Sequence, residues 1–369
     1  MLVCPTAFKG SLSAAEATRA LARGARAAVG AVGADLSIIS LPVSDGGNGL
    51  LEALAAERGG EWRVSAVRGP LGEVLDARYL AAEDYLVVEA AEACGLHLVP
   101  REGRDPLRAS TRGVGELLRA ASEGSPTGRV VLGLGGSATV DGGAGMARAL
   151  GWRLLDARGR PIADGASGLP TLRRLVPPEA GQKALGAGAR EIIALADVAA
   201  PLTGPAGAAR VFAPQKGASP EAVAALEEGL ANLAERIAQE LGVRVAKLPG
   251  GGAAGGLGAG AVAFLGARLE PGAAWVLDAI GFDRRLARAR VLLTGEGAYD
   301  RQTSLGKVVG VLVARARAAG VPAVVVAGRS SAPPAAGVVV RAGGGDQLGP
   351  AELAALAEDG VRAALAATC

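Results

Sequence analysis

Gly133–Gly145 reads Gly-Leu-Gly-Gly-Ser-Ala-Thr-Val-Asp-Gly-Gly-Ala-Gly, two hydroxyls and one carboxylate set among glycines. The apolar run Arg129-Val-Val-Leu132 precedes it and the helical pattern Met146-Ala-Arg-Ala-Leu150 follows. A strand feeding a glycine loop that opens a helix turns several backbone N–H groups toward one point, where they and the helix N-terminus attract an anion. Gly135, Gly136, Gly142 and Gly143 would supply that cradle, with the hydroxyls of Ser137 and Thr139. Asp141 adds a carboxylate able to hold a cation beside a phosphate.

Similar clusters recur along the chain. Phe8-Lys9-Gly10-Ser11 and Ser44-Asp45-Gly46-Gly47-Asn48-Gly49 each follow an expected strand and open an expected helix. Ala196-Asp197-Val198, Pro214-Gln215-Lys216-Gly217 and the glycine loop Pro249–Gly258, with Gly255 and Gly256, come next. Thr294-Gly295-Glu296-Gly297 and Asp300-Arg301-Gln302-Thr303 follow a late strand. Most lie just past the carboxyl end of a strand, where open α/β sheets place ligands.

The cations sharpen this pattern. Of 39 Lys plus Arg residues only five are lysines, and Lys9, Lys216 and Lys307 all fall within the clusters. Arginine is the default cation of this chain, and a compact ammonium on a flexible stem suits a moving phosphate. An Asp before Gly is ordinarily a turn former or an N-cap. Asp45 and Asp141 each stand in Asp-Gly-Gly after a strand, which lifts them above that ordinary role. Asp197 ends the apolar run Ile192–Ala196, where an unpaired charge is costly. Glu296 and Asp300 read equally well as a cap and a surface charge.

Other chemistries are excluded by what the chain lacks. The single histidine, His97, would have to carry any Ser-His-Asp, Cys-His or multi-His metal site, and it has no suitable neighbours in sequence. The only Gly-Lys pair, Gly306-Lys307, continues into valine, so there is no P-loop, and no His-Arg-Asp or Asp-Phe-Gly set occurs. The three cysteines, Cys4, Cys94 and Cys369, form neither a disulfide framework nor a zinc knuckle and fit a reducing cytoplasm. The 39 basic and 36 acidic residues are interspersed, with no basic block for nucleic acid. No signal peptide is read at the N-terminus. Leu248–Ala267 is uncharged for 20 residues, but its eight glycines predict a loop followed by a helix over Ala259–Leu269 rather than a membrane span. A soluble monomer or small homo-oligomer is expected.

These clusters need elements to position them. With 369 residues, two domains are the natural expectation, and with aromatics at only 3% the core must be built from Ala, Leu and Val. Strands at Leu2–Cys4 and Leu36–Leu41 alternate with helices at Ala14–Val29, capped by Ser11 or Ser13, and Gly49–Arg58. The last eighty residues alternate likewise: strands at Arg290–Thr294, Val321–Ala327 and Gly337–Arg341, helices at Leu305–Ala319 and Pro350–Ala367. Between them, Gly69-Pro-Leu-Gly72 marks an antiparallel turn, Tyr85–Ala90, Arg129–Leu132 and Glu191–Ala196 read as strands, and Pro220–Leu241 reads as a long helix. The expected fold is a discontinuous, doubly wound parallel α/β domain of the Rossmann or flavodoxin kind, built from residues 1–60 and 286–369. A mixed α/β domain, 61–285, is inserted into it.

Taken in order, the motifs resemble those of the type 1 glycerate kinase family over nearly the whole chain. They are Phe8-Lys-Gly-Ser-Leu-Ser13, Asp45-Gly-Gly47, Gly69-Pro-Leu-Gly72, Gly133–Gly145, Asp197-Val198, Pro201-Leu202, Pro214-Gln-Lys-Gly-Ala218, Gly252-Ala-Ala-Gly-Gly256, Thr294-Gly-Glu-Gly297, and Gln302-Thr303 with Gly306-Lys307. The resemblance implies ATP-dependent phosphorylation of D-glycerate on a two-domain α/β scaffold with a cleft between the domains, leaning toward the 2-hydroxyl. Departures are Thr6-Ala7 where the family carries Asp-Ser, Asn48 for Glu, Val140 for Asn, Cys94 for Ser and Arg112 for an aromatic. On this reading the 133–145 loop, with Ser137 and Thr139, takes the ATP phosphates. Lys9 and Lys216 neutralise the phosphoryl group or the carboxylate, and Asp197, or second Asp45, is the base. Asp141 and Asp300 hold Mg²⁺. Ser11, Gln215, Gly255, Gly256, Glu296 and Lys307 complete the binding set. Two alternatives stand beside it. One is a dinucleotide-dependent oxidoreductase, through Gly133-x-Gly135-x-x-Ala138 with Asp156 as the ribose acid. The other is a non-catalytic carboxylate-binding protein.

Overall fold

Alanine-rich helices between short valine runs can bury both faces of a parallel sheet, and the chain does this twice. The computed structural model describes residues 1–8, 11–123, 125, 128–179, 185, 191–300, 307–345 and 348–367, which form two compact units. The first comprises Met1–Asp45, Glu52–Gly59 and Ala273–Cys369; the second, Gly46–Leu51 and Gly60–Gly272.

The first unit holds five parallel strands in the spatial order Val338–Ala342, Ala323–Ser330, Leu292–Tyr299, Leu2–Val3, Ile39–Ser40. Numbered along the chain this is 2-1-3-4-5, the doubly wound flavodoxin-like order, whose switch point lies between Leu2–Val3 and Leu292–Tyr299. Alternation along one strand shows the double winding. Val324 and Val326 pack with the helices Ala14–Ala31 and Pro350–Ala366, whereas Val325 and Ala327 pack with Val309 and Tyr299 on the opposite face. Ser13 is the cap of the first helix: its Oγ accepts from the Glu16 N–H while the Glu16 carboxylate accepts from the Ser13 N–H, a capping box.

The second unit holds a six-stranded sheet in the order Arg268–Pro271, Glu191–Ala196, Arg129–Gly133, Leu86–Glu89, Val74–Ala81, Glu61–Arg68. The first four strands are parallel and the last two close an antiparallel hairpin through the Gly69–Glu73 turn. The helix Arg112–Ser122 buries Val114, Leu117 and Leu118 against Leu86, Val88, Val130 and Leu132. A second apolar cluster joins Leu226, Leu230 and Leu233 of the helix Pro220–Leu241 to Leu154, Leu169 and Phe264.

Several elements differ from the sequence reading. The helix expected to run to Leu269 stops at Gly266, whose φ of +66° ends it, and Arg268–Pro271 pairs instead as an edge strand beside Glu191–Ala196. The strand expected over Leu36–Leu41 shortens to Ile39–Ser40, with the Leu41 N–H still donating to Val3 O at 2.9 Å. Residues 273–285 group with the terminal unit, whereas the sequence reading puts that junction at 285/286. Among the described residues no helix is long and apolar enough to cross a membrane.

Candidate functional site

In the second unit the register brings three chain segments to one sheet edge. Glu89 pairs with Gly133, and Gly133 with Leu195, so the carboxyl ends of the strands at 86–89, 129–133 and 191–196 lie side by side. That edge is where a parallel sheet presents ligand-binding loops. Asp197 follows the third strand and is half-buried. Glu89 is buried and accepts the Leu51 N–H at 2.8 Å.

The loop after Gly133 is pinned from several sides. Gly136 O accepts from the Leu96 N–H at 2.6 Å, the Ala138 N–H donates to Cys94 O at 2.8 Å, and the Gly142 N–H donates to Gly255 O at 3.1 Å. Lys216, on the short turn Pro214–Lys216, reaches in from beneath. Its Nζ donates to Ser137 Oγ at 3.0 Å and to Thr139 O at 2.8 Å, and the residue is only 4% exposed. Burial lowers its pKa to about 8, opposed by the weaker attraction of Cys94 and Asp141. The same burial, with the Asp141 charge nearby, pushes the Cys94 thiol up to about 12.

Asp141 is fully buried and faces inward. Its Oδ2 accepts from the Thr111 N–H at 2.8 Å, the Thr111 hydroxyl at 2.9 Å and the Gly145 N–H at 3.1 Å, while Oδ1 accepts from the Gly143 N–H at 3.2 Å. Burial raises its pKa, and the four hydrogen bonds pull it back. The Met146 N–H donates to Thr111 Oγ1 at 3.0 Å, so the first turn of the helix Ala144–Ala149 is satisfied by protein groups. This differs from the expectation of an anion at that helix terminus: Asp141 and Thr111 already occupy it. The donors left are earlier in the loop. Gly136 is exposed and Gly135 half-buried, and no described residue accepts from the N–H of either.

Close backbone approach explains the glycines. A Cβ on Gly135 would lie 2.6 Å from Gly47 Cα, and one on Gly136 2.5 Å from Asn48 Oδ1, so the Gly-Gly-Asn segment packs directly on the loop. On the other side, Ala254, Gly255 and Gly256 all take positive φ, and a Cβ on Gly255 would lie 1.9 Å from Thr139 O. Ala254, at φ 51°, is the non-glycine member of this left-handed trio. Gln215 contributes its carbonyl, which accepts from Arg104 at 3.2 Å.

The first unit gathers its candidates at its own carboxyl edge. The Thr6 N–H donates to Gly295 O at 3.1 Å across the switch point, and Ser11 Oγ donates to Phe8 O at 3.2 Å. Glu296 is buried near the end of Leu292–Tyr299, Asp300 follows that strand, Asp45 is half-buried, and exposed Lys307 precedes the helix Val308–Ala318. Lys9, Gln302, Thr303 and Gly306 lie outside the described residues.

Two contributors escaped the sequence reading. Thr111, which orients Asp141, stands just before a helix, and Ser110-Thr111 is a cap-like pair that would have marked it. Glu89 ends the apolar run Leu86-Val-Val88, the same signal that singled out Asp197. The dinucleotide reading is corrected: the helix starts at Ala144, not at the Ala138 of the fingerprint, and Asp156 sits in the hairpin of Arg153–Leu155 and Arg174–Val176, paired with Arg160 at 3.0 Å. Asp156 therefore does not end a strand beside Arg129–Gly133, where a ribose acid would sit. Among the described residues no group of three or more His, Cys, Asp or Glu is placed to hold a metal ion.

Residues 1–341 match the model of the glycerate kinase family. A glycerate kinase of Halalkalibacterium halodurans is 43% identical over 336 residues, 89% of this chain and 85% of the relative. A glycerate 2-kinase of Escherichia coli is 41% identical over 312 residues, 84% and 79% of the two chains. The crystal structure of a protein described as glycerate kinase 2 from Salmonella typhimurium LT2 superimposes with a TM-score of 0.80 at 38% identity, covering 100% of this chain and 97% of that one.

Proposed function

The chain belongs to the glycerate kinase family, and from that premise we propose that it transfers the γ-phosphoryl group of ATP to the 2-hydroxyl of D-glycerate. The relative named glycerate 2-kinase supports the 2-position over the 3-position. Relatives named as kinases likewise favour catalysis over mere carboxylate binding.

The observation that carries the reading is the pinned loop at the sheet edge, whose Gly135 and Gly136 N–H groups meet no acceptor among the described residues while Lys216 grips Ser137 and Thr139. Phosphoryl transfer needs positioning and charge neutralisation more than a strong nucleophile. The amides of Gly135 and Gly136 receive phosphate oxygens, and glycines at 47 and 135 let the backbone segments come close. Asp197 accepts the proton of the attacking hydroxyl. Lys216 and Asp141 act on the loop rather than on the substrate: one holds residues 137–139 and the other residues 143–145. Lys9 is assigned to the transferring phosphoryl group, Asp45 stays the second candidate for the base, and Ser11, Glu296 and Lys307 keep their proposed binding roles.

A magnesium ion, when bound with ATP, would neutralise phosphate charge. Asp141 does not suit it, since four protein donors engage its oxygens. Asp300 is the candidate with the right chemistry, because magnesium commonly takes one or two carboxylates and completes its shell with phosphate oxygens and water. The dispersed cysteines, Cys4 and Cys94 among them free and buried, support work in the cytoplasm. A coupled assay of ADP release tests the reading. ADP release that depends on D-glycerate is expected, and its absence at any glycerate concentration contradicts the proposal.

A further inference from the structure

The second unit carries a cavity of about 490 Å³ beside the turn that holds Lys216, lined by Glu102, Arg104, Asp105, Arg108, Gly217 and Ser219 among others. Gly217 directly follows Lys216, so the cavity borders the turn whose lysine holds Ser137 and Thr139. Arg104 is built against that turn: its Nη1 donates to Gln215 O at 3.2 Å, and at Gly217 (φ +94°) a Cβ would lie 2.9 Å from Arg104 O. Among the described residues no carboxylate lies within ion-pair distance of Arg104, and its buried Nε has no acceptor. The nearest acid in sequence, Asp105, turns Oδ1 to the N–H groups of Leu107 and Arg108 at 3.1 and 3.3 Å.

A hydroxy acid needs a cation for its carboxylate. Lys216 cannot present one, because it is enclosed and both of its contacts are protein oxygens. We propose that Arg104 takes the carboxylate of the acceptor substrate, which makes this cavity the acid end of the acceptor site. The inference rests on the reading of glycerate as acceptor. A guanidinium fork meets a carboxylate with two parallel N–H groups and cannot lose its charge. Exposed Arg108 lines the same cavity as a second cation, beside the acids Glu102 and Asp105.

Arg104→Gln and Arg104→Lys, assayed by ADP release with each substrate varied in turn, test this assignment. The glycerate KM of Arg104→Gln is expected to rise about 10- to 100-fold, the loss of charged hydrogen bonds, while the ATP KM moves less than about twofold. Arg104→Lys is expected to recover part of the loss. An unchanged glycerate KM, or ATP and glycerate KM values that rise together, overturns the assignment. Should Arg104→Gln fail to fold, Arg104→Lys reads the same quantity: a glycerate KM raised about threefold or more at constant ATP KM supports it, and an unchanged one overturns it. The wild-type protein reports separately on the function, since only its failure to release ADP with D-glycerate touches that reading.

Discussion

Replacing Lys216 separates what its charge does for stability from what it does for the loop. The ammonium is held at Ser137 Oγ and Thr139 O, 3.0 and 2.8 Å away, in a residue only 4% exposed. Burial lowers its pKa from 10.5 to about 8, which weighs about 3 kcal/mol against the charged form in the folded chain. The unfolded chain keeps this proton up to about pH 10.5 and the folded chain only up to about pH 8, so between those values the unfolded state binds more protons. Stability therefore rises with pH across that window, by up to about 3 kcal/mol, and gains nothing from this group below it. Activity runs the other way. A neutral amine has fewer protons to donate, its grip on residues 137–139 slackens, and kcat/KM is expected to fall above about pH 8. In Lys216→Arg the charge persists, so the alkaline fall moves beyond about pH 10. In Lys216→Met the loop loses its clamp and kcat/KM drops about 100-fold, while stability no longer climbs between pH 8 and 10.5. ADP release and chemical denaturation, followed from about pH 6.5 to about pH 10, measure both. A shared alkaline limb for wild type and Lys216→Arg, or Lys216→Met activity within about threefold of wild type, refutes the reasoning.

Three other substitutions read separate parts of the account. Asp197→Asn is expected to lower kcat by about 10²- to 10⁴-fold with an unchanged melting temperature, and near-normal turnover removes Asp197 as the base. Gly255→Ala puts a methyl 1.9 Å from Thr139 O at a φ of +69°, so a loss of about 3 kcal/mol or more in denaturant titration is expected; wild-type stability would mean that the 254–256 trio can relax. Asp156→Ala removes a turn carboxylate that accepts the Arg158 and Arg160 N–H groups and pairs with the Arg160 guanidinium, so a local loss of stability is expected while kcat/KM stays within about twofold, and a larger kinetic loss would reopen a ligand role for it.

Much of the frame was legible because both faces of a parallel sheet are buried, which writes strands as unbroken apolar runs such as Leu86-Val-Val88 and Ile192–Ala196. Arg268–Pro271 broke that rule. It is an edge strand carrying Arg268 and Glu270, so only its pairing with Glu191–Ala196 identifies it. The site was legible as clusters but not as directions. Asp-Gly-Gly at 141–143 announces a turn and a carboxylate, yet the side chain points inward because Thr111, thirty residues away, meets it there. Lys216 stood out as a rare lysine among arginines, but its enclosure depends on Ser137 and Thr139, more than seventy residues earlier in the chain. The left-handed trio of Ala254, Gly255 and Gly256 is likewise tied to distant chain, since the Gly255 backbone lies directly against Thr139 and Val140, which local sequence does not encode.

Phosphorus NMR of the product formed from ATP and D-glycerate tests the central claim most directly. A phosphate coupled to the single proton on C2 is the result expected of 2-phosphoglycerate. A phosphate coupled to the two protons on C3, or inorganic phosphate alone, contradicts the account.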